Sequence, residues 1–324
     1  MPTHEQPKST VHLSLVIPTF NEEKTIHTFV QRVNQVFAQA QSIEIEFVFV
    51  NDGSTDATLL AILSAQKEDH RIRIIDLSRN FGKEAALTAG IDAAQGDIVV
   101  PIDVDLQDPP ELIPLMIEKW REGYEVVLAK RSDRTTDSFA KRASAGWFYR
   151  VHNMIANPKL PENVGDFRLI DRCVVEAIKE LPESHRFMKG LFAWVGFKTT
   201  SVDYNRPSRS QGESKFDGWK LWNFALEGIT SFSSDPLRIW TYLGFTVSLA
   251  SFAFGLFIAL RVVFYGVDVP GYASIMVAVM FLGGLQLIGI GVIGEYLGRT
   301  YIESKRRPTY IIRRHYQPKQ PNGS

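Results

Sequence analysis

The sequence predicts an α/β fold with a Rossmann-like, mostly parallel sheet, followed by two apolar segments of membrane-spanning length. Across residues 11–129, short apolar runs alternate with segments of helical periodicity, and short links join them. Such alternation is typical of a doubly wound sheet with helices on both faces. Residues 239–264 and 272–297 are each longer than the ~20 apolar residues that cross a bilayer core. The short link between them predicts a hairpin of two transmembrane helices.

Each strand of the predicted sheet is an apolar run that ends in a turn-forming segment. The predicted strands are Leu13–Pro18, Glu44–Val50, Arg71–Leu77, Asp97–Asp103 and Tyr124–Ala129. Apolar residues at helical spacing predict a helix after each of the first four strands. These helices are expected at Glu22–Ala40, from a cap at Thr55 or Asp56 to Lys67, at Glu84–Ala94, and from Pro109-Pro110-Glu111 to Glu122. Proline suits the first turn of the last of them.

The distribution of charge divides the chain into segments. The last residues are strongly basic, whereas the loop between the apolar segments has one acidic and no basic residue, which predicts that the α/β domain and the tail lie on the cytoplasmic side. Aromatic and basic residues mix at helical spacing in residues 138–156 and 215–232, a pattern of helices that lie in a membrane interface or of ordinary helices that face a core. The second stretch adjoins the first apolar segment, which favours the interface there. The predicted segments are a disordered N-terminus (1–10), an α/β domain (11–212), a juxtamembrane amphipathic helix (213–236), two transmembrane helices (237–299) and a basic cytoplasmic tail (300–324).

Several classes of protein lack support in the sequence. Lys and Arg together number 36, as do Asp and Glu, so the net charge gives no indication of a nucleic-acid partner, and none is expected. Cys173 is the single cysteine, which excludes an intramolecular disulfide and a cysteine zinc cluster. No GxGxxG follows the first strand and no GxxxxGK[ST] occurs, which disfavours a dinucleotide Rossmann site and a P-loop.

The strongest local signal is the segment DVDLQDPPE, in which Asp103 and Asp105 follow the fourth predicted strand. Carboxylates two residues apart in an extended chain point to the same side. Ligands of open α/β sheets bind beyond the carboxyl ends of the strands, and Mg²⁺ or Mn²⁺ prefers oxygen ligands. These two carboxylates therefore predict a site for a divalent cation that would neutralise a diphosphate.

The motifs VIPTFNEE, FVFVNDGSTDAT, RNFGKEAAL and DVDLQDPPEL, in this order, resemble those of inverting family 2 glycosyltransferases with the GT-A fold. The later segments GDFRLIDR, RFMKGLFAWVGF, GESKF, SFSSDPLR and GEYLGRTYIESKRRPTY resemble polyprenyl-phosphate glycosyltransferases, which include dolichyl-phosphate mannose synthases and bacterial undecaprenyl-phosphate glucosyltransferases. The resemblance implies metal-dependent transfer of a sugar from a nucleotide sugar to undecaprenyl phosphate at the cytoplasmic face of a bacterial inner membrane. UDP-glucose is the first expectation for the donor.

The resemblance also implies roles for individual residues. Those expected to bind the donor nucleotide are Pro18, Thr19, Glu22, Asp52, Lys83 and Asp103, with Asp52 accepting a hydrogen bond from the uracil ring. Those expected to hold Mg²⁺ or Mn²⁺ are Asp103, Asp105 and Gln107. Asp105, Asp166 and Arg168 are the expected catalytic residues, with Asp166 positioning the acceptor or stabilising positive charge at the anomeric carbon and Arg168 meeting a phosphate.

A polyprenyl phosphate is an anion, so basic side chains should receive it. The candidates for the acceptor phosphate are Arg131, Lys141, Arg142, Arg206, Arg209 and Lys215. The glycines and serines around Lys215 suit a loop that closes over a site.

Three alternatives stay open at this point. The donor could instead be GDP-mannose, UDP-GlcNAc, UDP-galactose or UDP-aminoarabinose. A processive polysaccharide synthase normally carries QxxRW and more spans, neither of which is present, and a noncatalytic nucleotide-sugar-binding scaffold is disfavoured by the acidic cluster. Gly294 and Gly298 form a GxxxG that permits close helix contact, either within the hairpin or between protomers. A homo-oligomer, for which a tetramer is one option, is the hypothesis that follows from contact between protomers.

Overall fold

The structure, a computed structural model, describes residues 10–40, 42–132, 164–183, 186, 188–204 and 271–318, together with isolated helical positions between 240 and 264. The chain divides into two compact units. The first contains residues 1–153, 158–218 and 308–324, and the second contains residues 154–157 and 219–307. The predicted disordered N-terminus, the juxtamembrane helix (213–236) and most of the first predicted span lie outside the described residues.

The first unit is built on a sheet that has eight strands among the described residues, in the order β7–β5–β6–β4–β1–β2–β3–β8. The strands are β1 (Val11–Thr19), β2 (Ile43–Asn51), β3 (Ile72–Leu77), β4 (Ile98–Pro101), β5 (Val126–Arg131), β6 (Val164–Asp171), β7 (Thr199–Tyr204) and β8 (Ile312–Tyr316). The central strand β1 pairs in parallel with β2 and β4, and β2 pairs in parallel with β3. In the register of these strands Thr19 pairs with Asn51, and Asn51 pairs with Asp76. The carboxyl ends of three neighbouring strands therefore meet in one row.

Helices connect the strands of the first unit and cover its sheet. They are α1 (Ile26–Phe37), α2 (Thr58–Glu68), α3 (Lys83–Ala93), α4 (Ile113–Arg121), α5 (Arg172–Lys179) and α6 (Met188–Trp194), and a 3₁₀ turn at Pro110–Leu112 leads into α4. The core beneath them contains Phe29, Phe47, Phe49 and Phe167, whose side chains are fully buried. Gly90 lets α3 approach β1 closely, because a β-carbon there would collide with Val16. This contact fixes α3, whose first turn borders the site described below.

The predicted strands and helices of residues 11–129 are confirmed, but the order of the strands differs from a simple parallel series. β6 lies between β4 and β5 and pairs antiparallel with both. β5 instead pairs in parallel with β7. Alternating apolar segments predict strands but not their neighbours, and β6 follows β5 only after the long segment 133–163. The prediction of a mostly parallel sheet is nevertheless confirmed: β4, β1, β2 and β3 pair in parallel throughout, and the antiparallel pairs involve β6 and β8.

The C-terminal segment is a second departure from prediction. Residues 300–324 are expected to form a separate basic tail, but residues 308–324 belong to the first unit, and β8 pairs antiparallel with β3. Strong positive charge predicts a solvated segment, whereas the open edge of β3 offers main-chain groups that β8 satisfies. Residues 312–316 of the predicted tail are therefore a strand of the sheet, whereas the cytoplasmic location of residues 300–324 stays a prediction.

In the second unit, α7 (Tyr272–Ser304) corresponds to the second predicted span. Its part from Phe281 to Ser304 is, by length and composition, sufficient to cross a membrane, and it is the one such helix among the described residues. Large apolar side chains such as Phe281, Leu287 and Ile293 are exposed along it. The described residues thus contain one apolar helix of membrane-spanning length, and the predicted hairpin of two is not established by them.

Candidate active site

One cleft of about 300 Å³ opens at the carboxyl ends of the strands in the parallel half of the sheet. Its volume lies at the lower end of the range of small-molecule sites. It is lined by Pro18, Thr19, Phe20, Glu22, Asp52, Asn80, Gly82, Lys83, Ala86, Asp103, Val104 and Asp105. All six predicted donor-binding residues and one further predicted metal ligand, Asp105, therefore face a single cavity.

The floor of the cleft is formed where β1 and β2 end. The Thr19 hydroxyl donates to the main-chain oxygen of Val50 at 3.0 Å, and the Asp52 main-chain N–H donates to the Thr19 oxygen at 2.9 Å. Asn21, with a left-handed φ of 57°, accepts a hydrogen bond from the Thr55 main-chain N–H at 2.9 Å. These bonds join the loop after β1 to the loop after β2, so both loops present their side chains from one rigid surface.

Asp52 is buried and holds the loop that follows β3. Its two carboxylate oxygens accept the main-chain N–H groups of Phe81 at 2.7 Å and Gly82 at 2.9 Å. Burial raises the pKa of Asp52 above its ordinary value, although these hydrogen bonds act in the opposite direction. Each oxygen has a second lone pair, so the carboxylate can hold the loop and still accept a bond from a ligand.

The acidic pair lies opposite this loop, just after β4. The Asp103 carboxylate receives the Lys83 ammonium at 2.7 Å, and Asp105 accepts the main-chain N–H of Gln107 at 3.1 Å. Leu106, which lies between Asp105 and Gln107, has a φ of 58°, a left-handed conformation that is uncommon for a non-glycine residue. Its side chain packs against the core, which holds this turn in place. The turn keeps both carboxylates at the cleft.

A network of charges extends from Asp103 to β6 and α6. Lys83 also contacts Asp166 at 3.1 Å, and the ammonium of Lys189 lies 3.9 Å from the other oxygen of Asp166. Burial alone would raise the pKa of Asp166, but Lys189, Lys83 and Arg168 outweigh it and lower that pKa. Burial likewise disfavours a charged Lys83, yet Asp103 and Asp166 raise its pKa above the ordinary value. Both groups are therefore ionised at neutral pH.

Glu84, half-buried on the first turn of α3, belongs to the same network. One of its carboxylate oxygens accepts the main-chain N–H of Met188 at 3.1 Å and so joins α3 to α6. Burial, followed by the negative charge of Asp166, raises the pKa of Glu84 to about 7. Glu84 thus titrates near neutral pH beside a carboxylate that stays ionised.

Three predicted site residues lie elsewhere. Gln107 does not line the cleft, and its main-chain N–H is turned toward Asp105. Arg168 is 3% exposed, donates to the main-chain oxygen of Gly165 at 2.7 Å and stacks on the Phe192 ring at 4.3 Å. Arg131, at the end of β5, hydrogen-bonds the Tyr204 hydroxyl. Arg168 is buried and its charge contributes to lowering the pKa of Asp166, whereas its predicted contact with a phosphate stays a prediction.

The remaining acceptor candidates, Lys141, Arg142, Arg206, Arg209 and Lys215, lie outside the described residues. In turn, sequence patterns missed Lys189, Glu84 and the cleft-lining residues Phe20 and Asn80. Lys189 and Glu84 act through contacts between distant parts of the chain, for which no local spacing exists. Phe20 and Asn80 lie in loops at strand ends, and that position alone could have identified them.

The fit of a divalent cation can be judged from the donor set. Mg²⁺ commonly uses one or two protein carboxylates and takes its other ligands from water and substrate phosphates. Asp103 and Asp105 supply two carboxylates to one cleft. Among the described residues no group of three or more His, Cys, Asp or Glu side chains is arranged to hold a metal ion. The residues thus fit a cation that a diphosphate ligand helps to hold, not an all-protein cage.

Comparison with known proteins gives a consistent assignment. The family model of glycosyl transferase family 2 matches residues 14–179. A prophage bactoprenol glucosyl transferase homolog of Escherichia coli (strain K12) is 56% identical over 302 residues, covering 93% of this chain and 98% of that protein. The bactoprenol glucosyl transferase of Shigella phage SfV is 56% identical over 305 residues, covering 94% of this chain and 99% of that protein.

Among solved structures, glucosyl-3-phosphoglycerate synthase from Mycobacterium tuberculosis matches with a TM-score of 0.47 and 21% identity, over 70% of this chain and 84% of that one. The family model covers about half of the chain, and the two curated relatives share more than half of their residues with it over nearly its full length. The chain therefore belongs to glycosyl transferase family 2 and is a glycosyltransferase.

Proposed function

We propose that this enzyme transfers glucose from UDP-glucose to undecaprenyl phosphate with inversion at the anomeric carbon. The observation that carries the proposal is the cleft in which Asp52, Lys83, Asp103 and Asp105 meet, in a chain 56% identical to bactoprenol glucosyl transferases. The experiment below distinguishes this function from transfer of another sugar and from a noncatalytic scaffold that binds a nucleotide sugar.

The donor would lie with its uracil against Asp52 and its diphosphate toward Asp103 and Asp105. Asp103 and Asp105 would hold Mg²⁺ or Mn²⁺, which neutralises charge on the departing diphosphate. Lys83 lies within hydrogen-bonding distance of Asp103, so its ammonium is placed to supply a second positive charge to the same phosphates. Stabilisation of the leaving diphosphate is expected to be the largest catalytic effect.

In the reaction an oxygen of the acceptor phosphate forms a bond to the anomeric carbon as the bond from that carbon to the UDP oxygen breaks. The acceptor oxygen is already ionised, so no strong base is required. Asp166 is ionised beside Lys83 and is suited to position the acceptor or to stabilise positive charge at the anomeric carbon. Lys189, 3.9 Å from Asp166, adds an ammonium group that can receive the acceptor phosphate.

The proposal includes a membrane anchor of two helices, the first within residues 239–264 and the second being α7. The exposed apolar side chains of α7 and the basic residues that follow it support a helix that ends at the cytoplasmic face.

A homo-oligomer is part of the proposal. A β-carbon at Gly294 or Gly298 would meet no atom within 4 Å among the described residues, so both positions are open to a second helix. The mass of the protein in nanodiscs tests this, and a monomer would contradict it.

The test uses the full chain in nanodiscs with undecaprenyl phosphate and Mg²⁺ or Mn²⁺. Radiolabelled UDP-glucose, UDP-galactose, UDP-GlcNAc and GDP-mannose are offered in parallel, with Asp105→Ala and added EDTA as controls. We expect label to enter the lipid from UDP-glucose alone and to be lost in both controls. Transfer from another donor would replace glucose, and UDP binding without any transfer would favour a noncatalytic scaffold.

A further inference from the structure

The C-terminal strand β8 reaches the wall of the donor cleft. That wall is the loop from Ser78 to Gly82, which follows β3 and contributes Asn80 and Gly82 to the cavity. The main-chain N–H of Ser78 donates to the Ile311 oxygen at 2.9 Å. The guanidinium of Arg313 donates to the Ser78 oxygen at 2.6 Å. Both main-chain polar groups at the start of the loop are thus bound by the C-terminal segment.

The other end of the loop is held from the opposite side. Asp52 accepts the N–H groups of Phe81 and Gly82, and Gly53, with a φ of 64°, packs against the main chain of Arg79 and Asn80 so closely that a β-carbon would collide. A loop of five residues is therefore fixed at both ends, by Asp52 near the cleft and by β8 at the sheet edge.

Arg313 has a second partner that leads toward the floor of the cleft. Its guanidinium lies 3.8 Å from one oxygen of the buried Asp76 carboxylate. The other oxygen of Asp76 accepts the side-chain N–H of Asn51 at 2.7 Å, and the Asn51 oxygen accepts the main-chain N–H of Ser54 at 3.3 Å. Loss of the cation would leave a buried carboxylate with less compensation next to Asn51, the residue that precedes Asp52.

A tyrosine in the segment before β8 strengthens this attachment. The Tyr310 hydroxyl donates to a carboxylate oxygen of Asp92 on α3 at 2.8 Å. The same helix begins at Lys83, beside Gly82, at the cleft. The C-terminal segment therefore contacts both the loop that forms the wall and the helix that continues it.

We propose that Arg313 is a positioning residue for donor binding: through Ser78 and Asp76 it holds the loop after β3 in the conformation that completes the nucleotide cleft. This rests on the proposed function in so far as the ligand is a uridine diphosphate. Arg313 is itself exposed, and within the described part of the chain it bonds to the Ser78 oxygen and pairs with Asp76, neither of which lines the cleft, so its effect is on the geometry of the wall. Substitution of Arg313 should change the affinity for the donor and leave the affinity for the acceptor unchanged.

The test compares Arg313→Ala with Arg314→Ala. The two arginines are neighbours on the same strand and carry the same charge, but Arg314 stacks on the Tyr316 ring at 5.2 Å. UDP binding is measured by calorimetry with Mg²⁺ on the full chain, and hydrogen exchange of residues 78–83 is measured on the same samples. Since a hydrogen bond from a charged group contributes modestly at an exposed site, we expect Arg313→Ala to weaken UDP binding by roughly 3- to 10-fold. It should also speed exchange in the loop, whereas Arg314→Ala should do neither.

Kinetics separate this role from a general loss of folding. Arg313→Ala should raise KM for the donor by the same factor, with KM for undecaprenyl phosphate and kcat unchanged, and Arg313→Lys should restore part of the affinity. Equal UDP affinity and equal exchange in the two alanine variants would overturn the inference. If the unaltered protein binds no UDP, the proposed function fails instead, so the two failures are distinguishable.

Discussion

The raised pKa of Glu84 predicts that its carboxylate lowers the stability of the folded protein above neutral pH. The folded-state pKa is about 7, against 4.5 for an unperturbed glutamate. The folded state therefore binds more protons than the unfolded chain between these values, and stability falls as the pH rises from 4.5 through 7. The full difference corresponds to about 3 kcal/mol. Screening by solvent at a half-buried site reduces this to about 1–2 kcal/mol.

Glu84→Gln removes the charge while its side-chain oxygen can still accept the Met188 N–H. At pH 8 we expect the variant to melt about 2–8 °C above the unaltered protein, from the usual relation for a domain of this size. At pH 4.5 the two melting temperatures should nearly coincide. The assay is intrinsic fluorescence of the full chain in one detergent, at one scan rate, across pH 4.5–8.

A matched control is Glu176→Gln, which removes an exposed carboxylate. Hydrogen bonds from Lys179 and Arg172 lower the pKa of Glu176, although burial acts in the opposite direction. That variant should gain nothing at pH 8. If Glu84→Gln has the same stability difference from the unaltered protein at both pH values, Glu84 is not held in a low-dielectric, negatively charged environment and the reasoning is refuted.

Three further outcomes are expected. Asp105→Asn should lower kcat about 10²–10³-fold in the lipid-transfer assay with little change in melting temperature, and normal turnover would remove Asp105 from catalysis. Lys189→Ala should raise KM for undecaprenyl phosphate about 5- to 10-fold and leave the donor KM unchanged. Lys198→Ala, an exposed lysine on another loop, should have no effect, and equal behaviour of the two would contradict the role of Lys189. Gly53→Ala would place a β-carbon at a φ of 64° and against the main chain of Arg79 and Asn80, and should lower the free energy of unfolding by more than about 2 kcal/mol. Gly123→Ala, at φ 89° and with an added β-carbon that would meet only the Lys198 ammonium at 3.9 Å, should cost about 1 kcal/mol in chemical denaturation. Equal losses in the two variants would argue against the collision at Gly53.

The sequence predicts the parallel half of the sheet well because each of its strands is buried on both faces. Leu13–Pro18, for example, is apolar except for Ser14, and the observed strand β1, Val11–Thr19, is longer than this prediction by two residues at its start and one at its end. β8 could not be predicted in the same way. Its three central residues, RRH, are polar and exposed, and its stability as a strand comes from the edge of β3, which is distant in the chain.

The donor side of the site was predictable for a topological reason. Parallel strands place their carboxyl ends together, so polar residues after β1, β2 and β4 converge without any knowledge of tertiary contacts. The network around Asp166 was not predictable in this way, because Lys83 and Lys189 reach it from α3 and α6. Such contacts depend on packing between helices and leave no spacing in the sequence.

The position of β8 has a consequence for biosynthesis. Among the described strands β8 is synthesised last, whereas its partner β3 is made before the apolar helix α7. At ~5–20 residues per second, on the order of ten to fifty seconds separate the synthesis of the two strands. During that interval the edge of β3 has no partner from β8, and the donor cleft lacks one of its supports. The affinity for the nucleotide should therefore reach its full value only after the apolar helix has been made and β8 has paired with β3.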